Sequence, residues 1–361
     1  MSDRGSRCLV IAEAGVNHNG SVDMALRLVD AAVAAGADIV KFQTFRADSV
    51  VSRFAPKADY QINSTESCES HLEMVRRLEL TLDDHRRLIQ HCELRDIGFL
   101  STPFDIESAK FLVRELGLAH LKIPSGEITN APLLLTMARL GRPVILSTGM
   151  STLGEIEEAL GVLAFGYLNL QTRPSREAFR QTYVSNEGQA ALCTRVTLLH
   201  CTTEYPAPYS EVNLAAMETL RHAFRLPVGF SDHTEGIAIP LAAVARGAAV
   251  IEKHFTLDRA LPGPDHRASL EPAELAAMVA GIRQVEVALG DGIKRPATSE
   301  IKNMAIARKS LVAARNITVG EMFFEDNLTS KRPGGGISPM DFWEWQGRRA
   351  SRNFAEDEPI E

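Results

Sequence analysis

The sequence contains no Cys-x-x-Cys pair, no run approaching ~20 apolar residues and no long tract of lysine or arginine. Its five cysteines, Cys8, Cys68, Cys92, Cys193 and Cys201, are odd in number and scattered. That usage argues against a disulfide framework or a zinc cage and fits reduced thiols. The first apolar run, CLVIAEAG, is too short for a signal peptide and is interrupted by Glu13, so a cytoplasmic protein with no membrane span is expected. A formal net charge of -7 without a basic tract speaks against nucleic acid or an anionic membrane as the main partner. An anionic ligand therefore needs a local basic pocket. The glycines at 334–336 lack Walker spacing and a following Lys-Ser/Thr, so they read as a turn rather than a phosphate loop. Internal repeats and low-complexity tracts are absent.

What the chain does have is a recurring alternation. Eight short apolar runs (CLVIAE, DIVKFQTF, IGFLSTPF, HLKIPSG, PVILSTGM, VTLLHCTT, PVGFSDHT and AAVIEKHFT) are separated by segments of helical periodicity, among them 22–35, 82–95, 106–116, 153–163, 214–222 and 237–246, with 271–289 after the last. Eight β/α units over residues 1–289 point to an α/β chain forming a (β/α)8 TIM barrel, with a doubly wound open sheet as the competing arrangement. Residues 290–302 read as a polar linker, and 303–361, with short strand-like runs and no β/α alternation, as a small β-rich domain. A long polar connection near 164–195 reads as a surface insertion carrying a short helix of its own.

Polar residues gather at the downstream ends of the apolar runs, which in a barrel share one rim, the place where such folds build active sites. Along VIEKHFTLD the two-residue strand period puts Val250, Glu252 and His254 on one face and Ile251, Lys253 and Phe255 on the other. His233 and His254 occupy matching positions on consecutive strands. Two converging imidazoles with coordination positions left open suit an exchangeable divalent metal, Mn²⁺ foremost, with Mg²⁺ or Co²⁺ as alternatives. Asp232 and Glu252 are expected to orient those ligands. Lys41 with Gln43, and Lys122 with Ser125, Ser147 and Ser231, form a second group: lysines and hydroxyls on separate strands clamp a compact anion. In EAGVNHNGS, Glu13 ends the first strand facing the presumed pocket, where a carboxylate serves as acid, base or hydroxyl orienter. For Asn17, His18 and Asn19, loop-holding hydrogen bonds and ligand contact stand equal.

The motifs IAEAGVNHNGS, VKFQTF, LSTPFD, KIPSGEITN, ILSTGM, HCTTEYPAP, GFSDHT, VIEKHFT and PGPDH, followed by KRPGGGIS, resemble the bacterial sialic acid synthases, in order and over nearly the whole chain. The resemblance implies a (β/α)8 barrel followed by an antifreeze-like (SAF) domain, in a homodimer whose small domains reach over the partner's active site. It implies condensation of phosphoenolpyruvate with an open-chain N-acetylated mannosamine-type sugar, giving N-acetylneuraminate, or legionaminate when the sugar is 2,4-diacetamido-2,4,6-trideoxymannose. It further implies His233 and His254 as metal ligands and Glu13 as the essential acidic residue; Glu252, on the same strand face as His254, is counted in the catalytic set as the residue that sets the histidine and metal. Lys41, Thr102, Lys122, Ser125, Ser147 and Ser231 correspond to phosphoenolpyruvate contacts; Glu127, in KIPSGEITN, is a further substrate-binding candidate. Gln43, Tyr205 and Asp265 correspond to positions near metal or sugar, and Arg332 to an arginine that approaches the sugar's N-acetyl group from the other subunit. Thr203 stands where some members carry asparagine.

Two other readings follow from the residues. A metal-dependent sugar isomerase or hydrolase on the same barrel shares the histidines but has no use for paired phosphate-binding lysines. A non-catalytic sugar-binding barrel predicts gaps among the strand-end polar residues, and the sequence shows none.

Overall fold

The structure, a computed structural model, describes residues 7–57 and 69–361; Cys68 and residues 1–6 lie outside the described residues. Each of the eight apolar runs forms a strand: β1 Leu9–Gly15, β2 Ile39–Thr44, β3 Gly98–Pro103, β4 Leu121–Ile123, β5 Val144–Ser147, β6 Val196–Cys201, β7 Val228–Asp232 and β8 Val250–His254. All pairings among them are parallel, in the order β3-β2-β1-β8-β7-β6-β5-β4, so the first strand pairs with the last. With β3 and β4 side by side, the circuit is a barrel.

Alternation along the strands sorts side chains into two environments. Outward residues such as Val10, Ala12, Val40, Phe42, Leu198 and Ile251 pack under the helices in the main core. Inward residues come in layers: Ile11, Leu100, Ile145, Leu199 and Val250 form a dry apolar plug inside the barrel. One pleat further along the same strands stand Glu13, Thr102, Ser147, Cys201 and Glu252, all buried. The plug supports the fold, and the polar layer above it is the floor of a site.

The helices start where side chains satisfy their free N–H groups. Ser21 accepts from Met24 N ahead of Val22–Ala34, and Thr152 and Glu155 form a reciprocal capping box at Leu153–Tyr167. Helix Ala131–Arg139, between β4 and β5, starts at Asn130 with a proline in its first turn.

The connection near 164–195 differs from a polar excursion. Residues to Tyr167 complete the preceding helix, and Arg176–Val184 and Asn186–Arg195 are both helical. The Phe179 ring meets Phe165 edge to face at 5.2 Å, and Gly161 permits close approach: a Cβ there would lie 3.0 Å from the Phe179 carbonyl oxygen. The polar residues face solvent, while a few apolar ones cover the barrel helix.

The chain divides into two compact units, Met1–Gly290 and Asp291–Glu361. Helix Thr298–Ala307 begins inside the segment 290–302 that reads as a linker and continues past it, with none of its residues buried. The second unit pairs Ser310–Ala313 (β9) with Leu328–Lys331 (β10) antiparallel, around a core that includes Leu311, Phe323, Leu328, Phe354 and Ile360. Cys8, Cys92, Cys193 and Cys201 are free thiols. Among the described residues, no helix is long and apolar enough to cross a membrane.

Candidate active site

The C-terminal ends of the strands enclose a cavity of about 390 Å³. Every barrel residue singled out above as a catalytic, metal-binding or substrate-binding candidate lines it, from Glu13 on β1 to Asp265 beyond β8. Arg332 belongs to the second unit, where its Nε donates to the Ala307 carbonyl at 2.8 Å.

The floor is a buried charge network. Lys41 Nζ lies 3.0 Å from Glu13 Oε2 and 3.1 Å from Glu252 Oε2, and donates to Thr102 Oγ1 at 3.1 Å. Lys122 Nζ donates to Ser147 Oγ at 2.7 Å and stands 3.5 Å from Glu252 Oε1, which also accepts from Ser231 Oγ at 2.9 Å. Burial opposes ionisation of Glu252, yet Lys122, Lys41 and the Ser231 hydrogen bond outweigh it and hold the carboxyl well below the usual carboxylate range. Burial pushes Glu13 up to about 7 against the pull of Lys41, with Glu252 adding repulsion. Burial draws Lys122 below its ordinary value, partly offset by Glu252. Burial likewise opposes the charge on Lys41, but Glu13 and Glu252 raise it. Two buried lysines thus face one carboxylate held ionised by them and a second whose ionisation burial opposes. Two lysines and the hydroxyls of Thr102, Ser147 and Ser231 converge in one buried layer, a donor set suited to a small polyanion.

The histidines occupy the adjacent rim. Their ring centroids are 5.6 Å apart, with Tyr205 at 4.2 Å from His233 and edge-on at 5.8 Å from His254. His233 Nδ1 lies 2.6 Å from the Thr202 carbonyl, to which it can only donate, leaving Nε2 with its lone pair. His254 Nδ1 is buried without a hydrogen-bond partner and stands 3.9 Å from Asp265 Oδ2. Burial pushes His233 down to about 4; burial, then His233 and Lys41, hold His254 well below its ordinary value. Both rings are neutral, the form that binds a metal. Burial pushes Asp265 up to about 6. Glu13 Oε1 and Gln43 Nε2 lie 3.5 Å apart beside this group. Gly15 is tight here: at φ +53°, an added Cβ would stand 3.3 Å from Glu13 Oε1 and 3.4 Å from His254 Cε1.

Two expected roles change. Asp232 points outward, where its Oδ2 accepts from Lys253 Nζ at 2.6 Å and its Oδ1 from Thr234 N at 3.0 Å, because residue 232 falls on the helix-facing side of β7. Glu252 faces inward, but its bonds go to the lysines and Ser231, so it is their counter-ion rather than an orienter of the histidines. Asn17, His18 and Asn19 hold the loop: Asn17 Nδ2 donates to the Phe255 carbonyl and Ser269 Oγ, Asn19 Nδ2 to the Pro262 carbonyl, and Gly20 N to His18 Nδ1. Glu127 Oε2 accepts from Asn130 Nδ2 at 2.7 Å, while Thr203 Oγ1 is buried without a partner.

The cavity also has an apolar wall with no role assigned from the sequence, although Val16, Phe45 and Phe104 stand within strand-end motifs. Val16, Phe45, Val50, Met74, Val75, Leu78 and Phe104 line it together with His71. Most of them come from the long connection between β2 and the helix Leu82–Leu94. Its length, far beyond the usual ~2–6 residues, was one signal; the strand period carried on from Gln43 to Phe45 and from Thr102 to Phe104 was another.

Similarity to known proteins agrees with this arrangement. The model of the NeuB family matches residues 28–294, and that of the SAF domain matches residues 308–361. The N,N'-diacetyllegionaminic acid synthase of Campylobacter jejuni is 54% identical over 98% of this chain and 99% of its own length, and that of Legionella pneumophila 44% identical over 98% and 94%. The crystal structure of an N-acetylneuraminic acid (sialic acid) synthetase from Leptospira borgpetersenii, in complex with citrate, superposes with a TM-score of 0.66 at 34% identity, covering 83% of this chain and 90% of that one. Barrel, strand-end site and C-terminal unit together place this chain in the NeuB family, with a SAF domain after the barrel.

Proposed function

We propose that the protein condenses phosphoenolpyruvate with the open-chain aldehyde of an N-acetylated mannosamine-type sugar, releasing phosphate and a nonulosonate. The observation that carries this reading is the pair of buried lysines, 41 and 122, sharing Glu252 on the floor of a cavity whose rim holds two neutral histidines. Phosphoenolpyruvate matches this set of buried lysines and hydroxyl donors. Lys41 and Lys122 neutralise its carboxylate and phosphate, and the hydroxyls of Thr102, Ser125, Ser147, Thr203 and Ser231 supply donors once the substrate displaces their present partners.

The residues fit a divalent metal, Mn²⁺ foremost. His233 retains a free Nε2, the buried His254 Nδ1 lacks a partner, and among the described residues no cluster of three or more His, Cys, Asp or Glu is placed to hold an ion more tightly. When bound by His233 and His254, the ion supplies Lewis acidity toward the sugar aldehyde. Gln43, Tyr205 and Asp265 border the same space and orient the sugar. C3 of phosphoenolpyruvate attacks the aldehyde carbon, water adds at C2, and the C2–O bond breaks to release phosphate. Glu13, its carboxyl raised toward neutrality by burial, carries a proton at Oε1 or Oε2 to or from the reacting oxygens.

The 54% identity to an N,N'-diacetyllegionaminic acid synthase favours 2,4-diacetamido-2,4,6-trideoxymannose as the sugar over N-acetylmannosamine. The working form in this proposal is a cytoplasmic homodimer in which Arg332 of each SAF domain completes the partner's site. The test is phosphate release that requires both phosphoenolpyruvate and a sugar, is abolished by chelation and returns with Mn²⁺, Co²⁺ or Mg²⁺. His233→Ala and His254→Ala each bind less metal by elemental analysis while keeping the wild-type melting profile. Phosphate release from phosphoenolpyruvate without any sugar, or full turnover after confirmed metal removal, overturns the reading.

A further inference from the structure

Among the described residues, the Asp265 carboxyl accepts no hydrogen bond, although it lines the cavity, and His254 Nδ1 stands 3.9 Å from its Oδ2. Its place is therefore set by its backbone. That backbone lies in the loop beyond β8, and side chains from a different loop, the one after β1, hold it. Asn17, shielded from solvent, sends both amide hydrogens across the gap: Nδ2 donates to the Phe255 carbonyl at 2.8 Å and to Ser269 Oγ at 2.9 Å. Ser269 Oγ in turn donates to the Asp265 carbonyl at 2.6 Å. Asn19 makes a second clasp from a left-handed backbone (φ +50°) that asparagine tolerates well. Its Nδ2 donates to the Pro262 carbonyl at 2.8 Å, and its Oδ1 lies 3.2 Å from His266 Nε2. The other ring nitrogen of His266 is 2.6 Å from Thr256 Oγ1. Gly263 lets the two loops close, since a Cβ there would stand 2.7 Å from both Asn19 Oδ1 and His266 Cδ2.

The chain is thus pinned on both sides of Asp265, at Pro262 and at His266 and Ser269, and at the Asp265 carbonyl itself, while the carboxyl is left open toward the cavity. We propose that Asn17, Asn19 and Ser269 are positioning residues that hold Asp265 at the His254 side of the cavity, ready to orient the sugar. The inference rests on the condensation reading above, in which Asp265 serves the sugar. Lys41 and Lys122, which take phosphoenolpyruvate in that reading, stand on β2 and β4, outside the clasp. A carboxylate fixed only through its backbone moves with that backbone, and a shift of about 1 Å in a reacting geometry costs up to about 10²-fold in rate. Loosening the clasp therefore weakens the use of the sugar and spares the anion.

The test reads the two substrates separately. Ser269→Ala removes the link to the Asp265 carbonyl while Asn17 keeps its bond to Phe255, next to His254. It should lower kcat/KM for 2,4-diacetamido-2,4,6-trideoxymannose by about tenfold or more. Bound Mn²⁺ by elemental analysis, and the Kd for phosphoenolpyruvate by calorimetry with metal present, should match wild type. Asn17→Ala should lower the sugar kcat/KM at least as far, and Asn19→Ala severalfold; if Asn17→Ala does not fold, Ser269→Ala decides. Wild-type kcat/KM for the sugar in Ser269→Ala, or a common factor lost from sugar and phosphoenolpyruvate alike, overturns the inference. Asp265→Ala with wild-type kcat/KM for the sugar overturns the assignment of Asp265 to the sugar instead. No phosphate from the wild type with either this sugar or N-acetylmannosamine overturns the condensation reading itself, so the three failures are told apart.

Discussion

Lys253 Nζ lies 2.6 Å from Asp232 Oδ2, and both side chains are fully shielded from solvent on the outer face of the barrel wall. The next residue along each strand, His254 and His233, faces the cavity. A buried ion pair directly behind two candidate metal ligands ties β7 to β8 at the level where those rings must keep their spacing. Removing one partner strands the other charge in an apolar layer. Lys253→Met is therefore expected to cost about 3–5 kcal/mol of stability, read as a lowered midpoint in chemical denaturation. A midpoint within experimental error of wild type would show that the pair contributes nothing.

Several histidines are neutral because they are buried, and this makes the fold acid-labile. Burial pushes His18 down to about 4, and burial also lowers His85 and His200. His18 Nδ1 accepts the Gly20 N–H, so protonating it sets two donors against each other. With the folded value below the unfolded one, the unfolded chain binds more protons between about pH 6.5 and 4. Stability is complete above that window and is lost as pH falls through it, by on the order of 3 kcal/mol for one histidine shifted as far as His18. Glu13 and Asp265, raised to about 7 and about 6, act in the opposite sense over the same window, so the discriminating quantity is the change in slope of unfolding free energy between about pH 4.5 and 6.5, which His18→Gln should make less positive. An unchanged slope in that variant would remove His18 from the account.

The helices after Tyr167 form part of the barrel's outer layer. Phe179→Ala is expected to lower stability by about 2–4 kcal/mol, and exchanging residues 169–189 for a Gly/Ser linker to expose the apolar side of helix Leu153–Tyr167 and yield aggregated protein. For Phe179→Ala, kcat per folded molecule should match wild type, because the ring packs on a helix rather than in the cavity. A linker variant that remains monodisperse, with the wild-type melting temperature, contradicts this.

The proposed trans role of Arg332 has a numerical signature. Glu13→Ala and Arg332→Ala proteins, each inactive alone, are dissociated and reassociated together. If Arg332 serves the partner's site, a mixed dimer holds one site with both defects and one with neither, and random pairing restores roughly a quarter of wild-type activity. If it serves its own subunit, every site keeps a defect and the mixture stays inactive.

The strands were legible because each apolar run is short, bounded by turn residues and ends in polar side chains, and the period of two assigned Glu252 and His254 to one face. The same period, applied to GFSDHT, puts Asp232 on the face opposite His233, which is why it cannot reach the cavity. The partners of Glu252 were not legible: Lys41 and Lys122 lie far away in sequence, and only barrel closure brings them within about 3–3.5 Å of it. The apolar wall was hidden for a different reason. Its residues come from separate segments, the extensions of β1, β2 and β3 and the short helix His71–Arg77, and nothing local to any one of them shows that they meet.

The apolar plug of Ile11, Leu100, Ile145, Leu199 and Val250 makes the barrel a blind well. Lys41 and Lys122 stand immediately above it, and the apolar layer of Phe45 and Phe104 lies further out. A blind well enforces a queue. On the proposed reaction, phosphoenolpyruvate bound at the lysines would enter before the sugar, so initial-rate kinetics are expected to show ordered addition with phosphoenolpyruvate leading and inhibition by excess sugar.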